Sequence, residues 1–420
     1  MSKIRIKNFG AITSGFAENN GFIDISKISI FIGNQGVGKS TIAKLISIMT
    51  WLEKALIRGD LKEKDITRYN RFQKKHCAYK NIHNYFKHDT EIEFQGKSYF
   101  FLYQDTNFSI SKNDTNSVLD SINLDYKMPK IMYVPAERNL LSVFDRPNLL
   151  KNLPNTLHTF LNEFENAKQE LKEEVILPFD NIKFKYQKQN KISSIIGENY
   201  KIKLSEASSG HQSVIPLFLV SQYLAKTVNQ ESNYSKTILS VEDTKKIKKK
   251  IKKLLMFKDE LSEDIIKMSL QVLTAQFHNS CFINIVEEPE KNLFPTTQKN
   301  ILFKLFEFAN SNLANELLIT THSPYIISYL TLAIKSYQVL QKVKNSDDRL
   351  NLTEKLNKII QTASCINPND ACVYEVLDDG SICKLSTYNS LPSDDNFLNQ
   401  LLAESNIVFD ELLDIEELCE

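Results

Sequence analysis

Period-two alternation opens the chain. Lys3-Ile4-Arg5-Ile6-Lys7 and Phe22-Ile23-Asp24-Ile25 alternate polar with apolar residues, which predicts strands. Ile28 to Ile32 is mostly apolar, as suits a buried strand. From Thr41 to Ala55 the period becomes helical, with Ile42, Leu45, Ile46, Met49 and Leu52 on one stripe. Residues 56 to 90 are polar, basic and aromatic and predict helix with loops. Glu91 to Gln104 reads as a hairpin turning near Gly96. Ile131-Met132-Tyr133-Val134 predicts a short strand stopped by Pro135. Leu157 to Val175 predicts a helix, residues 182 to 204 two or three short strands, and Gly210 to Ala225 a helix. Residues 226 to 275 interrupt this order as a polar insertion. Cys281 to Val286 is then a strand, Thr296 to Ala309 a helix, Leu317 to Thr320 a strand and 324 to 340 a helix. Cys372 to Leu385 reads as a hairpin around Asp379-Gly380. No internal repeat is visible.

Strands alternating with helices predict an α/β fold. A length of 420 residues exceeds one simple core. The expected division is a first part over 1–225, an inserted helical lobe over 226–275, a second core part over 276–345, and a C-terminal extension over 346–420. Hydrophobic content of 42% and charged content of 25% fit a folded globular protein. The net charge of +1 means that any nucleic-acid surface must be a local patch. No apolar stretch approaches the ~18 to 20 residues that cross a bilayer. Met1-Ser2-Lys3-Ile4-Arg5 lacks the apolar core of a signal peptide, so no membrane association and a cytoplasmic location are expected. The six cysteines form no C-x-x-C pair and read as thiols.

Three of the 11 glycines fall between positions 33 and 38. Gly33-Asn34-Gln35-Gly36-Val37-Gly38-Lys39-Ser40 follows an apolar strand and opens an amphipathic helix, the setting of a phosphate-binding P-loop. Its backbone N–H groups would cradle phosphates at the helix N-terminus. Lys39 would reach the terminal phosphates of ATP, and the Ser40 hydroxyl, followed by Thr41, would ligate Mg²⁺. Glu287 and Glu288, in Val286-Glu287-Glu288-Pro289-Glu290, stand at the tip of a predicted strand. There Glu287 would help hold Mg²⁺ and Glu288 would polarise the attacking water. His322, in Leu317-Leu318-Ile319-Thr320-Thr321-His322-Ser323-Pro324, ends another strand and would sense the γ-phosphate. Ser208, Ser209 and Gly210 precede a helix and form a second candidate phosphate surface; an ordinary capped helix start is the bland alternative.

P-loop, Ser-Ser-Gly before a helix, strand-tip acids and a following His stand in that order. In this the chain resembles the ABC-type ATPase heads of the RecF, SMC and OLD group. The resemblance implies a P-loop NTPase head with a mixed sheet and an antiparallel β lobe. It also implies a nucleotide sandwiched between two heads, with Ser208, Ser209 and Gly210 of one completing the P-loop of the other. The chain departs from the pattern where Glu287 replaces the usual Asp and where the transporter Leu-Ser-Gly-Gly-Gln signature is missing. Gln73, Gln95 and Gln104 all remain candidates for the Q-loop residue. Heptads long enough for an SMC arm are absent.

More narrowly, Phe31 to Thr41, Trp51 to Asp60 and Tyr133-Val134-Pro135-Ala136-Glu137-Arg138 are similar to the ATPase subunits of anti-phage defence systems. The AriA-type subunit of PARIS fits first and the PtuA-type subunit of Septu second. This implies an ATP-dependent homo-oligomer that senses a phage-encoded trigger protein and controls a partner nuclease or toxin. A RecF- or SMC-like DNA-repair ATPase is the alternative. With no Asp-x-Asp pair for TOPRIM chemistry, no nuclease site of its own is expected. His76, Cys77, His83 and His88 cluster in sequence without a familiar zinc spacing and read as structural. The lysine run Lys245–Lys253 is a possible phosphate-backbone contact, or a solvated helix face. From Asp394 to Glu420 there are nine acidic residues, no Lys or Arg, and apolar stripes at Leu398, Leu401, Leu402 and at Phe409, Leu412, Leu413. That tail reads either as an acidic docking surface for a basic partner or as a helix pair packed on its own domain.

Overall fold

The computed structural model describes residues 1–113, 126–231, 248 and 278–417. Three sheets carry the framework. A five-stranded antiparallel sheet, in the order β3-β1-β5-β6-β7, contains β1 (Ser2–Phe9), β3 (Ile23–Ile25), β5 (Phe86–Gln95), β6 (Tyr99–Gln104) and β7 (Asn107–Lys112). The main sheet is mixed and runs β2-β16-β15-β4-β14-β13-β8. Its members are β2 (Gly15–Phe16), β4 (Ile28–Gly33), β8 (Pro129–Val134), β13 (Cys281–Glu287), β14 (Glu316–Thr320), β15 (Ala371–Val376) and β16 (Ser381–Lys384). Strands β8, β13, β14, β4 and β15 are mutually parallel. A small sheet joins β9 (Val175–Ile176), β10 (Lys183–Gln187), β11 (Ile192–Ile196) and β12 (Lys201–Lys203). The expected α/β class, with a P-loop head built on a mixed sheet and an antiparallel lobe, is the one observed.

The apolar runs of the main sheet follow from burial on both faces. Ile28, Ile30 and Ile32 point into one core with Met132, Val134, Phe282, Leu317 and Ile319. Helices α4 (Asn155–Glu170), α5 (Ser209–Glu231), α6 (Pro295–Asn310) and α7 (Pro324–Val343) also feed that core. Phe31, Tyr133, Ile283, Ile285 and Leu318 point to the other face. There α1 (Lys39–Arg58) and the antiparallel sheet close a second core. Short helices α2 (Glu63–Thr67) and α3 (Leu140–Val143) fill corners, and α8 (Arg349–Ile359) follows α7.

Several expectations need correction. The helix expected to reach Val175 ends at Glu170, because Val175 pairs with Phe184 as a strand. The hairpin expected from Glu91 starts at Phe86, opposite Phe9, and gains β7 as a third strand. Within residues 346–420, β15 pairs in parallel along the whole of β4 and so belongs to the main sheet. Helix α5 continues past Ala225 to Glu231, and the rest of the expected insertion, Lys248 excepted, lies outside the described residues. The acidic tail is one helix, α9 (Phe397–Glu417), not a pair. Its Leu398 is buried, whereas Leu401, Phe409, Leu412 and Leu413 are exposed.

Candidate functional site

Parallel strands deliver their C-terminal ends to one edge of the sheet, where ligands of open α/β sheets bind. Three of the sequence motifs sit at that edge. Gly33 ends β4, Glu287 ends β13, and Thr320 ends β14, with Glu287 opposite Thr320 in the register. Gly33 adopts φ 137°, and an added Cβ would lie 2.2 Å from the Val376 carbonyl on β15, so only glycine fits where the loop leaves the strand. Asn34, Gln35 and Gly36 form the exposed tip. Val37 to Lys39 and Thr41 are buried, Ser40 is half-buried, and Gly38 is the N-cap of α1. The first-turn N–H groups of a 20-residue helix therefore face the concavity of the loop.

The Lys39 ammonium donates to the carbonyls of Gly33 (2.8 Å) and Asn34 (2.6 Å) and lies 3.3 Å from His322 Nδ1. Burial pulls its pKa down to about 8, against the opposing fields of Glu288 and Glu290. The other His322 nitrogen, Nε2, is 3.6 Å from Glu288 Oε1. The His322 ring beside it is the main cause holding the Glu288 carboxyl below its ordinary range, so Glu288 is ionised at neutral pH. Glu288 has φ 44°, an uncommon left-handed conformation for a non-glycine residue. Its N–H donates to Thr320 O (2.8 Å). Lys39, His322 and Glu288 thus form a continuous polar line across three strand ends.

Two residues without an assigned role in the sequence hold that line in place. Glu290 accepts from the His322 N–H and the Thr321 hydroxyl, both at 2.8 Å on Oε1. Burial pushes its pKa up, and its Oε2 has no partner among the described residues. Arg138 is wholly buried. Its guanidinium donates to Glu287 O (2.8 Å), Glu288 O (2.7 Å), Pro135 O (3.3 Å) and Ser213 O (3.2 Å). Burial lowers its pKa to about 10, which leaves it a cation. The acidic turn is therefore fixed by a guanidinium fork that also grips the first turns of α5.

Glu287 faces β8. It accepts from the Tyr133 hydroxyl (2.5 Å) and the Ala136 N–H (3.3 Å), and buried Lys80 lies in its field. Both carboxylate oxygens are thus engaged by protein donors, and a metal ion would have to share them. The glycine loop and a cation held by neutral carbonyls fit the phosphates of ATP. Ser40 on the first turn of α1, with Glu287 and Glu288 at the adjacent strand tip, supplies oxygen donors suited to Mg²⁺.

Ser208 and Ser209 are exposed. The Ser208 hydroxyl accepts from the His211 N–H (3.4 Å) and lies 3.0 Å from His211 Nδ1, while His211 Nε2 is 2.9 Å from Asp180. Gly210 packs so tightly that a Cβ there would lie 2.6 Å from the Asn292 carbonyl. The Ser-Ser-Gly segment therefore abuts the turn that follows the acids. Gln73 bonds with His83 O and Asn70, Gln95 pairs with Lys3, and Gln104 ends β6. All three lie in or beside the antiparallel lobe, and the strand next to Glu287 leads instead to Ala136. Among the described residues no group of three or more His, Cys, Asp or Glu side chains is placed to hold a metal, His76, Cys77, His83 and His88 included. Lys245–Lys253 lies outside the described residues except for exposed Lys248. No described helix is long and apolar enough to cross a membrane.

No family model matches the chain, and no curated relative does. Among solved structures, an SMC head domain from Thermotoga maritima shares 13% identity over 78% of this chain and 90% of that one, at a TM-score of 0.32. An Smc head bound to the C-terminal winged-helix domain of ScpA shares 10% identity over 92% and 98%, at 0.35. A nucleotide-free ATP-binding cassette from an ABC transporter shares 12% over 93% of each chain, at 0.26.

Proposed function

We propose that the chain is a Mg²⁺-dependent ATPase head that binds and hydrolyses ATP as a homo-oligomer. The carrying observation is the Lys39–His322–Glu288 line at the mouth of the glycine loop. The loop N–H groups and Lys39 would hold the phosphates, and Mg²⁺ would supply charge neutralisation between them. Glu288, ionised and restrained by Arg138, takes a proton from the attacking water. A water oxygen–phosphorus bond forms, the bond from the γ-phosphorus to the bridging oxygen breaks, and ADP and phosphate result. His322 positions Glu288 beside Lys39. Exposed Ser208 and Ser209, with Gly210, would close over the nucleotide of a second subunit.

The biological setting follows from the resemblance of the P-loop, Trp51 to Asp60 and Tyr133 to Arg138 segments to AriA-type subunits of PARIS. In that setting the oligomer is cytoplasmic, senses a phage-encoded trigger protein, and holds or releases a partner nuclease or toxin. Phosphate release by the purified chain tests the enzymatic part. Lys39→Ala should abolish ATP binding, and Glu288→Gln should retain ATP and stabilise the oligomer; normal turnover in both would overturn the assignment. Copurification with the product of a neighbouring nuclease gene tests the defence setting. Salt-sensitive DNA binding that disappears when Lys248 to Lys253 are neutralised would instead favour a RecF- or SMC-like repair role, possible through that lysine run.

A further inference from the structure

A cavity of about 430 Å³ opens between α1, the π-helical turn Phe72–Cys77 with the residues that follow it, β8 and α4. It is distinct from the glycine loop, since no residue from Gly33 to Thr41 lines it. Its size falls in the range of small-molecule pockets, roughly 300–1,000 Å³. Ile48, Met132 and the half-exposed Trp51 give it apolar and aromatic walls. The Trp51 and His76 rings lie 5.8 Å apart, and Tyr79 is held by its hydroxyl against Thr159 (2.5 Å).

The four lysines that line this cavity are not equivalent, and Lys75 is exposed at the surface. Lys130 is paired with Glu163 (2.7 Å), and Lys54 donates to the Pro129 carbonyl. Lys80 is buried, with its ammonium over the Tyr133 ring at 3.8 Å from the centroid. The field of Glu287 offsets part of the cost of burying this ammonium, and an anion entering the cavity would offset more. Burial has pulled its pKa down to about 7. His76 is buried, neutral with a pKa near 4, and its Nε2 has no hydrogen-bond partner among the described residues. It can serve a ligand as a hydrogen-bond partner without adding charge.

We propose that this cavity binds a small aromatic anion, a ring carrying one phosphate or carboxylate, with the ring beside Trp51 and His76 and the anion on Lys80. The site does not depend on the ATPase reading. It is joined to the acidic turn all the same, because the Tyr133 ring under Lys80 donates its hydroxyl to Glu287.

Trp51 is the one tryptophan of the chain, so its emission reports occupancy. The full chain carrying Lys39→Ala, which silences the P-loop, is titrated with phenyl phosphate and with phenylacetate. Inorganic phosphate and phenol serve as the separate halves of the first, acetate and toluene as those of the second. A saturable change in Trp51 emission with either aromatic anion is expected, at least tenfold tighter than with either half, and the tighter of the two identifies the anionic group. Lys80→Met should weaken it at least tenfold. Should Lys80→Met fail to fold, Ile48→Phe, which narrows the cavity and keeps the cation, should do the same. The proposal falls if neither aromatic anion saturates at millimolar concentration. It also falls if either half binds as tightly as the whole, or if the folded cavity variant responds like its parent.

Discussion

Replacing Arg138 with methionine isolates what the guanidinium does, because the apolar stem is kept and only the fork is lost. Four carbonyls then lose a donor, on Glu287, Glu288, Pro135 and Ser213. The two short bonds, 2.7 and 2.8 Å, are hydrogen bonds from a charged donor, each contributing roughly 1.5–3 kcal/mol. Against this, the variant no longer has to desolvate a buried cation, which returns part of that sum. The expected net loss is about 3 kcal/mol in urea unfolding followed by circular dichroism. Phosphate release should fall further than stability implies, because the left-handed turn at Glu288 loses its clamp. Arg138→Lys should recover only part of either loss, since one ammonium cannot span the acidic turn and α5 together. A stability loss below about 1 kcal/mol with unchanged phosphate release would refute the clamp.

Lys39 is cationic below its pKa of about 8 and loses its charge as the pH rises through that value. ATP binding should therefore weaken above about pH 8, by up to about tenfold per unit, and a flat calorimetric affinity profile from about pH 7 to 9 would contradict this. Gly210→Val should destabilise by roughly 1–3 kcal/mol, because its Cβ would meet the Asn292 carbonyl at 2.6 Å; an unshifted urea midpoint would show that α5 can move away. Deleting residues 400–417 should change stability by less than about 0.5 kcal/mol, because the apolar side chains described there are exposed; a large drop would mean that α9 packs on the domain.

The parts of the site that lie in one stretch of chain were legible in the sequence. Gly33 to Thr41 announces strand, loop and helix at once, and the acids and His322 each follow an apolar run. Residues whose roles arise from convergence were not. Glu290 stood inside a quoted motif, but its grip on the His322 N–H depends on β13 and β14 being neighbours. Arg138 stands four residues past the apolar strand Ile131–Val134, beyond Pro135, Ala136 and Glu137, and nothing local says that it is buried. Lys80 and Tyr133 lie far apart in sequence and meet only because α1 and the π-helical turn cover β8. The two-residue strand β9 escaped because so short a segment has no period to detect. The hairpin near Asp379-Gly380 was found, but its place beside β4 depends on parallel pairing, which leaves no mark in a single sequence.

That parallel pairing has a consequence for how the protein is made. The P-loop strand needs β15 along one side, and about 340 residues of synthesis separate the two. At about 5–20 residues per second, the ribosome takes roughly 17–70 s to bridge that gap. Throughout that interval the nascent chain carries every residue of the glycine loop but leaves the β15 edge of β4 unpaired, and the opposite edge also stays unpaired until β14 has been made. Unpaired strand edges are where newly made chains join the wrong neighbours. The glycine loop is thus among the first segments translated, and the strand that carries it is among the last to be fully paired.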